Sequence, residues 1–465
     1  MKNNYDLIVI GSGPGGYVAA IRASQLGLKT LVIEKDKLGG ICLNWGCIPT
    51  KALLKSADVN HTLSEIDNYG ISLKNHSFNW KKIIKRSRGI SKTLSEGVKF
   101  LLKKNKIDVI YGHGKLAGSG RVIVKNNDDE SVLYEAPNII LATGARPKNM
   151  KGLEVDNINI WNYKDAMIPD KMPNTLLVIG AGAIGVEFAS FYNDFGVKVT
   201  LVESQNNILP SEDYDVSSFI KTDFEKRGIE ILNNTKILKL ESIKNQVKVQ
   251  MEVSENKVSE VKFSKAIVAV GIDPNIDDLG IDTVNINIEH NKIVTNVYGE
   301  TSEKGIYAIG DISGAPWLAH KASHEGISCV ENIVNEPSHT DENIIIPSCI
   351  YSRPQVASVG ITEEMAIKNK VPYTIGKFPM IGNGKALATG DNNGFVKTIF
   401  NKESGELLGA HMVGPEVTEL ISIYSLAIKL EATELDLMST IFPHPTISES
   451  LHESVLAAYN KAIHI

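Results

Sequence analysis

Two cysteines, Cys42 and Cys47, are the residues best placed to do chemistry, because they lie five positions apart in the segment GGICLNWGCIPTK. On a regular helix of 3.6 residues per turn, that spacing is a rotation of about 140°, so a bond between the sulfurs needs a distorted turn. Gly46 and Pro49 supply local irregularity. The apolar spacing after Pro49 predicts a helix, whose N-terminus would lower the pKa of both thiols. The pair predicts thiol–disulfide exchange.

Two other interpretations of the pair are open on the sequence: two reduced core cysteines, or half of a metal site. The sequence contains no second close cysteine pair to complete a zinc site, so we predict no metal. Cys329 and Cys349 each stand alone, and we expect both to be buried apolar residues.

Thiol–disulfide exchange also needs a base, because the attacking species is a thiolate. Of 11 histidines, His444 is the best candidate, since it lies between Pro443 and Pro445 in FPHPTISES. Glu449 follows five residues later and could orient the imidazole. A histidine between prolines is, taken alone, more often a loop residue.

The elements that would position this chemistry occur twice. Each copy is a short apolar strand, a glycine turn, a helix, a second strand and a terminal acid. The acid falls 23 positions after the first glycine in both copies. The first copy has Gly11, Gly13, Gly16 and Glu34, and the second has Gly180, Gly182, Gly185 and Glu203. Two such copies predict two mononucleotide-binding halves.

In this context each residue of the turn has a physical task. The first glycine permits a tight turn, the second lets backbone approach a pyrophosphate, and the third lets helix pack on strand. The pyrophosphate then lies at a helix N-terminus. Glu34 and Glu203 would each accept hydrogen bonds from ribose hydroxyls. No lysine or arginine occurs in the SQNNILP segment after Glu203, so this acid predicts NAD rather than NADP.

Composition bounds the remaining possibilities. A chain of 465 residues is too long for one core, and we expect about three domains of roughly 100–200 residues. A net charge of −5 argues against a nucleic-acid or anionic-membrane partner. No run approaches the roughly 20 apolar residues of a membrane span, and MKNNYDLIVIG lacks the features of a signal peptide. We therefore expect a cytoplasmic protein.

Each repeat is followed by alternating runs that predict a β-meander, and then by a buried strand that ends in a glycine, Gly144 or Gly271. The last third has no glycine fingerprint. It has alternating strands and then helical patterns at 418–430 and 434–441, which predict a separate α+β domain.

Taken in order, the motifs GGxCLNxGCIPxK, ATG before a short linker, GAGxIGVE, IYAIGD, LAHKAxxEG and HPTxSE resemble those of the flavin disulfide reductases, essentially end to end. The resemblance implies an α/β fold with two Rossmann-like dinucleotide-binding domains, for FAD and NAD, and a C-terminal α+β dimerisation domain. The implied segments are 1–146 (first part of the FAD domain), 147–272 (NAD domain), 273–345 (central domain completing the FAD site) and 346–465 (dimerisation domain).

The resemblance also assigns catalytic roles by position. Cys42 exchanges with substrate and Cys47 faces the flavin, with Lys51 beside the flavin ring. His444 is the base and Glu449 its partner. The base reaches the disulfide from the other subunit, so a homodimer is a condition of catalysis. The peptide bond from His444 to the following proline is expected to be cis.

For cofactor binding, the resemblance adds residues to the two glycine turns and their acids. Asp311 binds the ribityl and pyrophosphate region, and Glu187 pairs with Lys51 near the nicotinamide. A helix that starts at Leu318 presents N–H groups to the flavin and stabilises its reduced, anionic form. The added residues are Lys51, Gly114, Ala142, Thr143, Gly144, Glu187, Gly271, Asp311, Leu318, Ala319 and His320. Departures such as Trp45, Thr50 and 352–355 lie outside the redox set.

The members closest by motif oxidise protein-bound dihydrolipoyl groups with NAD⁺, so the expected partners are lipoyl domains of a 2-oxo acid or acetoin dehydrogenase acyltransferase, or the glycine-cleavage lipoyl carrier. Glutathione-type reductases favour NADP, whereas Glu203 predicts NAD. Mercuric reductases use a C-terminal cysteine pair, but this chain ends KAIHI. Short thioredoxin-reductase-like enzymes use CxxC in the NAD domain. A non-catalytic flavoprotein is the alternative of another class, and the redox set argues against it.

Overall fold

A computed structural model describes residues 4–126, 130–253, 258–337 and 344–465. The chain forms two compact units. Unit 1 consists of Met1–Leu53, Asn79–Lys148 and Gly271–Ile344, and unit 2 of Leu54–Phe78, Asn149–Val270 and Ile345–Ile465. Three unit borders lie within a few residues of the implied domain boundaries, whereas 54–78 joins unit 2. The division into four domains stays a prediction.

The strands alternate with helices in the two repeats, whereas the meanders that follow the repeats and the sheet of the last third are antiparallel. Up to residue 148 they are β1 (Leu7–Ile10), β2 (Thr30–Glu34), β3 (Asp108–Tyr111), β4 (His113–Leu116), β5 (Arg121–Lys125), β6 (Ser131–Glu135), β7 (Asn138–Leu141) and β8 (Ala145–Pro147). From 149 to 344 they are β9 (Ile160–Trp161), β10 (Thr175–Ile179), β11 (Lys198–Val202), β12 (Glu230–Leu232), β13 (Lys236–Ile243), β14 (Gln246–Glu252), β15 (Val258–Phe263), β16 (Lys265–Val268), β17 (Ile272–Pro274), β18 (Ile288–Glu289), β19 (Lys292–Ile293) and β20 (Ile306–Ala308). The last are β21 (Ser348–Ile350), β22 (Gln355–Gly360), β23 (Tyr373–Pro379), β24 (Phe395–Asn401) and β25 (Leu407–Gly414).

The helices include the two that carry the cysteines and one that follows each glycine turn. They are α1 (Pro14–Gln25), α2 (Gly40–Trp45), α3 (Cys47–Ser64), α4 (Trp80–Lys104), α5 (Tyr163–Met167), α6 (Ala183–Asp194), α7 (Tyr214–Lys226), α8 (Ala319–Ile333), α9 (Glu363–Lys368), α10 (Gly384–Thr389), α11 (Val417–Lys429), α12 (Glu434–Ser439) and α13 (Glu449–Ala458). Short 3-10 helices lie at Ile66–Tyr69, Ile281–Thr283, Gly310–Ser313 and Met380–Gly382. In the described part of the chain, no helix is long and apolar enough to cross a membrane.

Unit 1 is built on a parallel sheet with strand order β20-β7-β1-β2-β3. All residues of β1 and β2 are buried, as expected for parallel strands covered on both faces. The antiparallel meander β4-β5-β6 precedes β7, and β5 alternates between exposed and buried residues. The first repeat and its meander are confirmed. Cys329 is fully buried in the core of this unit, as predicted.

Unit 2 contains the second repeat in a parallel sheet of order β12-β11-β10-β16-β9, with the meander β13-β14-β15. Its C-terminal part is an antiparallel sheet of order β21-β22-β25-β24-β23 that packs against α11 and α13. The predicted α/β fold with a C-terminal α+β domain is confirmed. The prediction for Cys349 is wrong: this cysteine is only partly buried, and its sulfur lies 3.8 Å from the Thr418 carbonyl oxygen.

Candidate active site

The redox segment is a broken helix. Helix α2 ends at Trp45, Gly46 leaves helical geometry (φ −139°, ψ −117°), and α3 begins at Cys47. A Cβ on Gly46 would lie 3.3 Å from the Cα of Cys42, so glycine allows the backbone to fold back closely here. The break brings the two cysteines, which are present as thiols, into a side-chain hydrogen bond. The distorted turn predicted from the spacing is confirmed.

One electrostatic expectation is wrong for Cys42. The pKa of Cys42 is raised well above its usual range, first because this thiol hydrogen-bonds with Cys47 and then because it is buried. Lys51, one turn after Cys47, lowers that pKa only in part. Cys42 lies in the first turn of the six-residue helix α2 rather than at the start of α3, and contact with Cys47 and burial outweigh any lowering of its pKa by a helix N-terminus. Cys42 therefore keeps its proton in the dithiol state.

Helix α4 braces this segment in a way that the sequence did not predict. Ser87 Oγ donates to the Pro49 carbonyl at 2.9 Å, and Ser95 Oγ donates to that of Leu38 at 2.8 Å. Two arginines of the same helix donate in the same manner, Arg86 to the Ala52 carbonyl at 2.7 Å and Arg88 to that of Asn44 at 2.5 Å. Four carbonyls of the redox segment thus accept hydrogen bonds from one helix, which fixes its backbone.

The first glycine turn leaves space at its middle position only. A Cβ on Gly11 would lie 2.3 Å from the Ala142 oxygen, and one on Gly16 would lie 2.0 Å from the Gly11 oxygen. At Gly13 the nearest described atom, the Cα of Gly40, would be 4.0 Å away. Strand and helix therefore pack through the outer glycines, while a ligand can approach the backbone at the middle one.

The second glycine turn repeats this arrangement. A Cβ on Gly180 would lie 2.5 Å from the Ala269 oxygen, and one on Gly185 would lie 1.9 Å from the Gly180 oxygen. At Gly182 no described atom would lie within 4 Å. The two turns therefore offer the same kind of space to a ligand.

The acids of the two repeats lie where they were predicted, and both are buried. Glu34 Oε2 accepts the N–H of Ser12 at 3.0 Å and its hydroxyl at 2.5 Å, while Oε1 accepts the Asp36 N–H. Among the described residues, Glu203 Oε2 accepts only the Ala181 N–H, at 2.9 Å, while Oε1 accepts from the two residues that follow the glutamate. Each carboxylate therefore aligns its glycine turn and keeps about one acceptor site for a further donor.

Three helices predicted to face a cofactor begin without a side-chain cap among the described residues. They are α1 after Gly13, α6 after Gly182 and α8 after Leu318, and their first turns carry no acidic residue. By contrast, side chains cap α4, α5, α7, α9 and α10. An uncapped helix start leaves its first N–H groups for water or an anionic ligand. Ala319 and His320 are the first two residues of α8.

Of the remaining predicted residues of unit 1, Ala142, Thr143 and Gly144 directly follow β7. Thr143 donates its hydroxyl to the Asn275 carbonyl at 2.8 Å, and a Cβ on Gly114 would meet Ile33 at 3.1 Å. Gly144 has φ +70° with no described atom within 4 Å of its Cβ position, and Gly271 has φ +114° with the same open space. Burial raises the pKa of Asp311, so hydrogen-bond donors from a ligand would stabilise its charged form.

Glu187, the predicted partner of Lys51, is buried on α6 in unit 2. One of its oxygens accepts the Tyr351 N–H at 2.9 Å. This bond orients the side chain of Glu187, the fifth residue of the helix that follows the second glycine turn. The Lys51–Glu187 ion pair stays a prediction.

His444 and Glu449 are brought together. His444 Nδ1 lies 2.9 Å from Glu449 Oε1, and Glu449 Oε2 accepts the Thr446 N–H at 2.9 Å. Burial alone would raise the pKa of Glu449, but hydrogen bonds from Thr446 and His444 lower it, so the carboxylate stays charged. A charged carboxylate only accepts, so Nδ1 carries a proton and Nε2 is left to accept one. The predicted cis peptide bond at Pro445 is confirmed.

A second imidazole–carboxylate pair, whose glutamate lies on α13 as Glu449 does, was missed. His464 Nδ1 lies 2.7 Å from Glu453 Oε1, and Glu453 Oε2 accepts the Ile463 N–H at 3.0 Å. Glu453 lies one helical turn after Glu449. His464 has no motif around it comparable to the one around His444. Its only sequence signal is its position close to the end of the chain.

Residues 5–326 match the model of the pyridine nucleotide-disulphide oxidoreductase family, and 346–455 match its dimerisation domain. The chain belongs to the pyridine nucleotide-disulphide oxidoreductases. It is 50% identical to a dihydrolipoyl dehydrogenase of Zymomonas mobilis over 465 residues and 42% identical to one of Bacillus subtilis over 474, with both chains covered completely in each case.

Solved structures agree with this assignment. LpdA from Mycobacterium tuberculosis superposes with a TM-score of 0.90 at 27% identity, covering 97% of this chain and 98% of LpdA. The disulfide reductase RclA from Escherichia coli has a TM-score of 0.87 at 24% identity, covering 97% of this chain and 99% of RclA, which shows the shared fold alone.

The described residues of this pyridine nucleotide-disulphide oxidoreductase fit both dinucleotides of its family. For FAD, unit 1 offers the open backbone at Gly13, the uncapped start of α8 and the acceptor site on Glu34. For NAD, unit 2 offers the same open backbone at Gly182 and an acceptor site on Glu203. The residues that fit each cofactor thus belong to one unit each.

Proposed function

We propose that this protein is an NAD-dependent dihydrolipoyl dehydrogenase, which oxidises protein-bound dihydrolipoyl groups and reduces NAD⁺ to NADH. It uses FAD and NAD. The observation that carries the proposal is the Cys42–Cys47 pair, hydrogen-bonded across the break at Gly46 within the unit that fits FAD. The full-length dihydrolipoyl dehydrogenases to which the chain is 50% and 42% identical support the choice of substrate.

The protein's residues perform the thiol chemistry. Bound FAD supplies the two-electron relay between the dithiol and the nicotinamide. His444 Nε2 accepts the proton of a substrate thiol, and the thiolate attacks the Cys42 sulfur, which breaks the Cys42–Cys47 bond. Cys47 leaves as a thiolate. The second substrate thiol then attacks the substrate sulfur of the mixed disulfide, which releases oxidised lipoyl and Cys42.

The raised pKa of Cys42 suits this sequence. When the second substrate thiol attacks, its proton passes to the Cys42 sulfur, so Cys42 is released as a thiol and the negative charge of the reduced pair stays on Cys47, which left as a thiolate. The cysteine assigned to substrate exchange and the cysteine assigned to the flavin thereby differ in charge.

We propose further that the enzyme works as a homodimer and acts on lipoylated carrier proteins. The dimerisation domain at 346–455 supports a homodimer, in which His444 of the partner subunit serves the disulfide. The substrate is carried by the lipoyl domains of a 2-oxo acid or acetoin dehydrogenase acyltransferase, or by the glycine-cleavage lipoyl carrier. We place the enzyme in the cytoplasm, because four cysteines in 465 residues are typical of a reducing compartment.

A substrate panel tests the activity directly. The purified protein is assayed with dihydrolipoamide, glutathione disulfide and mercuric ion, each with NAD(H) and NADP(H), while NADH or NADPH absorbance is followed. Turnover of dihydrolipoamide with NAD⁺ is expected, and no comparable activity with the other pairs. Preference for glutathione disulfide or mercuric ion, or activity only with the NADP pair, would contradict the proposal. A flavoprotein without any turnover would favour the non-catalytic alternative.

The proton acceptor is tested by comparing two histidines that share one geometry. His444→Gln is expected to lower kcat with dihydrolipoamide by on the order of 10²–10⁴, the usual share of a general base. His464→Gln removes an imidazole held by a glutamate in the same way and is the matched control, with less than a tenfold effect expected. A larger loss in the His464 variant would show that the wrong pair was chosen.

A further inference from the structure

Helix α4 is strongly positive, although the protein as a whole has a net charge of −5. It carries nine of the chain's 49 lysines and arginines but only one of its 54 acidic residues, Glu96. Six of these cations fall at spacings of three, four or seven residues, which places them on one face of a helix. This basic stripe consists of Lys81, Lys85, Arg88, Lys92, Lys99 and Lys103. It extends for about 33 Å at 1.5 Å per residue.

The stripe is open to a partner within unit 1. Five of its six residues are exposed, and Arg88 is the half-buried exception. The Arg88 guanidinium carbon lies 4.5 Å from the centre of the Trp45 ring, and the Lys37 ammonium nitrogen lies 5.7 Å from it. Beside them is a groove of about 440 Å³ whose lining includes Lys92 and Lys99. The groove extends the positive surface from α4 onto the redox segment.

The position of the stripe ties it to the chemistry. Side chains of α4 hold four carbonyls of the redox segment, and Trp45 lies between the two cysteines in sequence. A partner bound to the stripe would therefore rest on the helix that braces Cys42 and Cys47. A protein that must bring a dithiol to this unit gains from such a surface, because complementary charge raises the encounter rate.

The pattern of charge identifies the kind of partner. Glu96 interrupts the stripe at its centre, 3.8 Å from Lys92, and Asp36 lines the groove. A nucleic acid or an anionic bilayer presents continuous negative charge and would be repelled at these carboxylates. An acidic protein surface can place a basic or neutral group there. We propose that the basic stripe binds the acidic face of the protein that carries the dihydrolipoyl group.

This inference rests on the proposed function. Two substrates allow the inference and the proposed function to be tested separately. One is a reduced lipoylated carrier domain of net negative charge, and the other is free, uncharged dihydrolipoamide. Lys99→Glu/Lys103→Glu reverses two charges of the stripe. The matched control, Lys82→Glu/Lys104→Glu, reverses two exposed charges of the same helix, each rotated by about 100° from a stripe residue.

At low ionic strength, the stripe variant is expected to lose about tenfold in kcat/KM with the carrier domain, within the range of electrostatic steering. Its kcat/KM with dihydrolipoamide should stay within twofold of wild type. The control should stay within twofold with both substrates. The loss with the carrier should largely vanish near 1 M salt, where the Debye length is about 3 Å. An unchanged melting temperature shows that the variants are folded.

Several outcomes overturn the inference. They are equal losses in the stripe variant and the control, a loss that extends to dihydrolipoamide, or no loss with the carrier. Phosphatidylserine vesicles and duplex DNA are tested for binding in parallel, and stripe-dependent binding of either would replace the protein partner. Wild-type enzyme that turns over neither substrate would instead refute the proposed function, and this inference with it.

Discussion

After β1 and after β10 the chain makes the same turn, yet the acid that ends each repeat is held by different donors. Ser12 gives Glu34 both an N–H and a hydroxyl, which fill Oε2. Ala181, at the equivalent position, has only an N–H to give Glu203. The remaining acceptor site is thus on Oε1 in the first repeat and on Oε2 in the second. The two repeats share a backbone and differ in the carboxylate oxygen that they offer to a ribose.

The segments after the two acids differ as well. In unit 1 the chain continues into the broken helix with the cysteines. In unit 2 the segment after Glu203 returns to the glycine turn, where the Leu209 N–H donates to the Ala181 carbonyl at 2.8 Å. The first repeat is therefore followed by the cysteine pair. The second is followed by a segment that hydrogen-bonds back to its own glycine turn. In the proposed enzyme, one scaffold would serve both a resident FAD and an exchanging NAD.

The largest expected effect comes from removing the chemistry that only the first repeat carries. Cys47→Ser should abolish turnover of dihydrolipoamide and the absorption band between thiolate and flavin, because no thiolate remains to leave when Cys42 is attacked. Turnover and visible spectra measure this. Cys349→Ser, in unit 2, is the control and should retain activity. Unchanged turnover in the Cys47 variant would favour a non-catalytic flavoprotein.

The outer glycines allow the two repeats to be broken separately. Gly11→Ala would place a Cβ 2.3 Å from the Ala142 oxygen, and Gly180→Ala one 2.5 Å from the Ala269 oxygen, both at positive φ. Strain and overlap of about 3 kcal/mol predict a weakening of roughly 100-fold at the affected turn. We expect lost FAD retention in the first variant and a raised KM for NAD⁺ with FAD retained in the second. Loss of both functions in either variant would deny the assignment of one cofactor to each repeat.

The repeats could be predicted from sequence because their determinants are local. The spacing of 23 residues from glycine to acid is fixed by one strand, one helix and a second strand. The brace by α4 could not be predicted, since its donors lie far along the chain and target backbone carbonyls, which leave no sequence pattern. The raised pKa of Cys42 was missed for a related reason. The expected helix dipole is outweighed by contact with Cys47, which depends on the break at Gly46.

Substitutions of the two acids are expected to have smaller effects than those of the glycines. Glu203→Gln should raise KM for NAD⁺ by about tenfold or more, since a hydrogen bond to a charged group contributes roughly 1.5–3 kcal/mol. The same change should reduce discrimination against NADP⁺, because it removes repulsion of a 2′-phosphate. Glu34→Gln should leave KM for NAD⁺ unchanged and weaken FAD instead. Steady-state kinetics with both nucleotides and the flavin-to-protein ratio separate the two. An NADP⁺ preference in the unaltered enzyme would refute the role of Glu203.

The smallest effect tests the difference between Ser12 and Ala181 themselves. Ala181→Ser should copy the first repeat, because the new hydroxyl would donate to Glu203 Oε2 and occupy the acceptor site that we assign to the ribose of NAD. A net hydrogen bond contributes on the order of 1 kcal/mol, so KM for NAD⁺ should rise by about fivefold while kcat stays unchanged. Ser12→Ala is the reciprocal change and should leave KM for NAD⁺ unaltered. If the Ala181 variant bound NAD⁺ as well as wild type, the ribose would have to use another acceptor, and the distinction between the two carboxylates would be structural rather than functional.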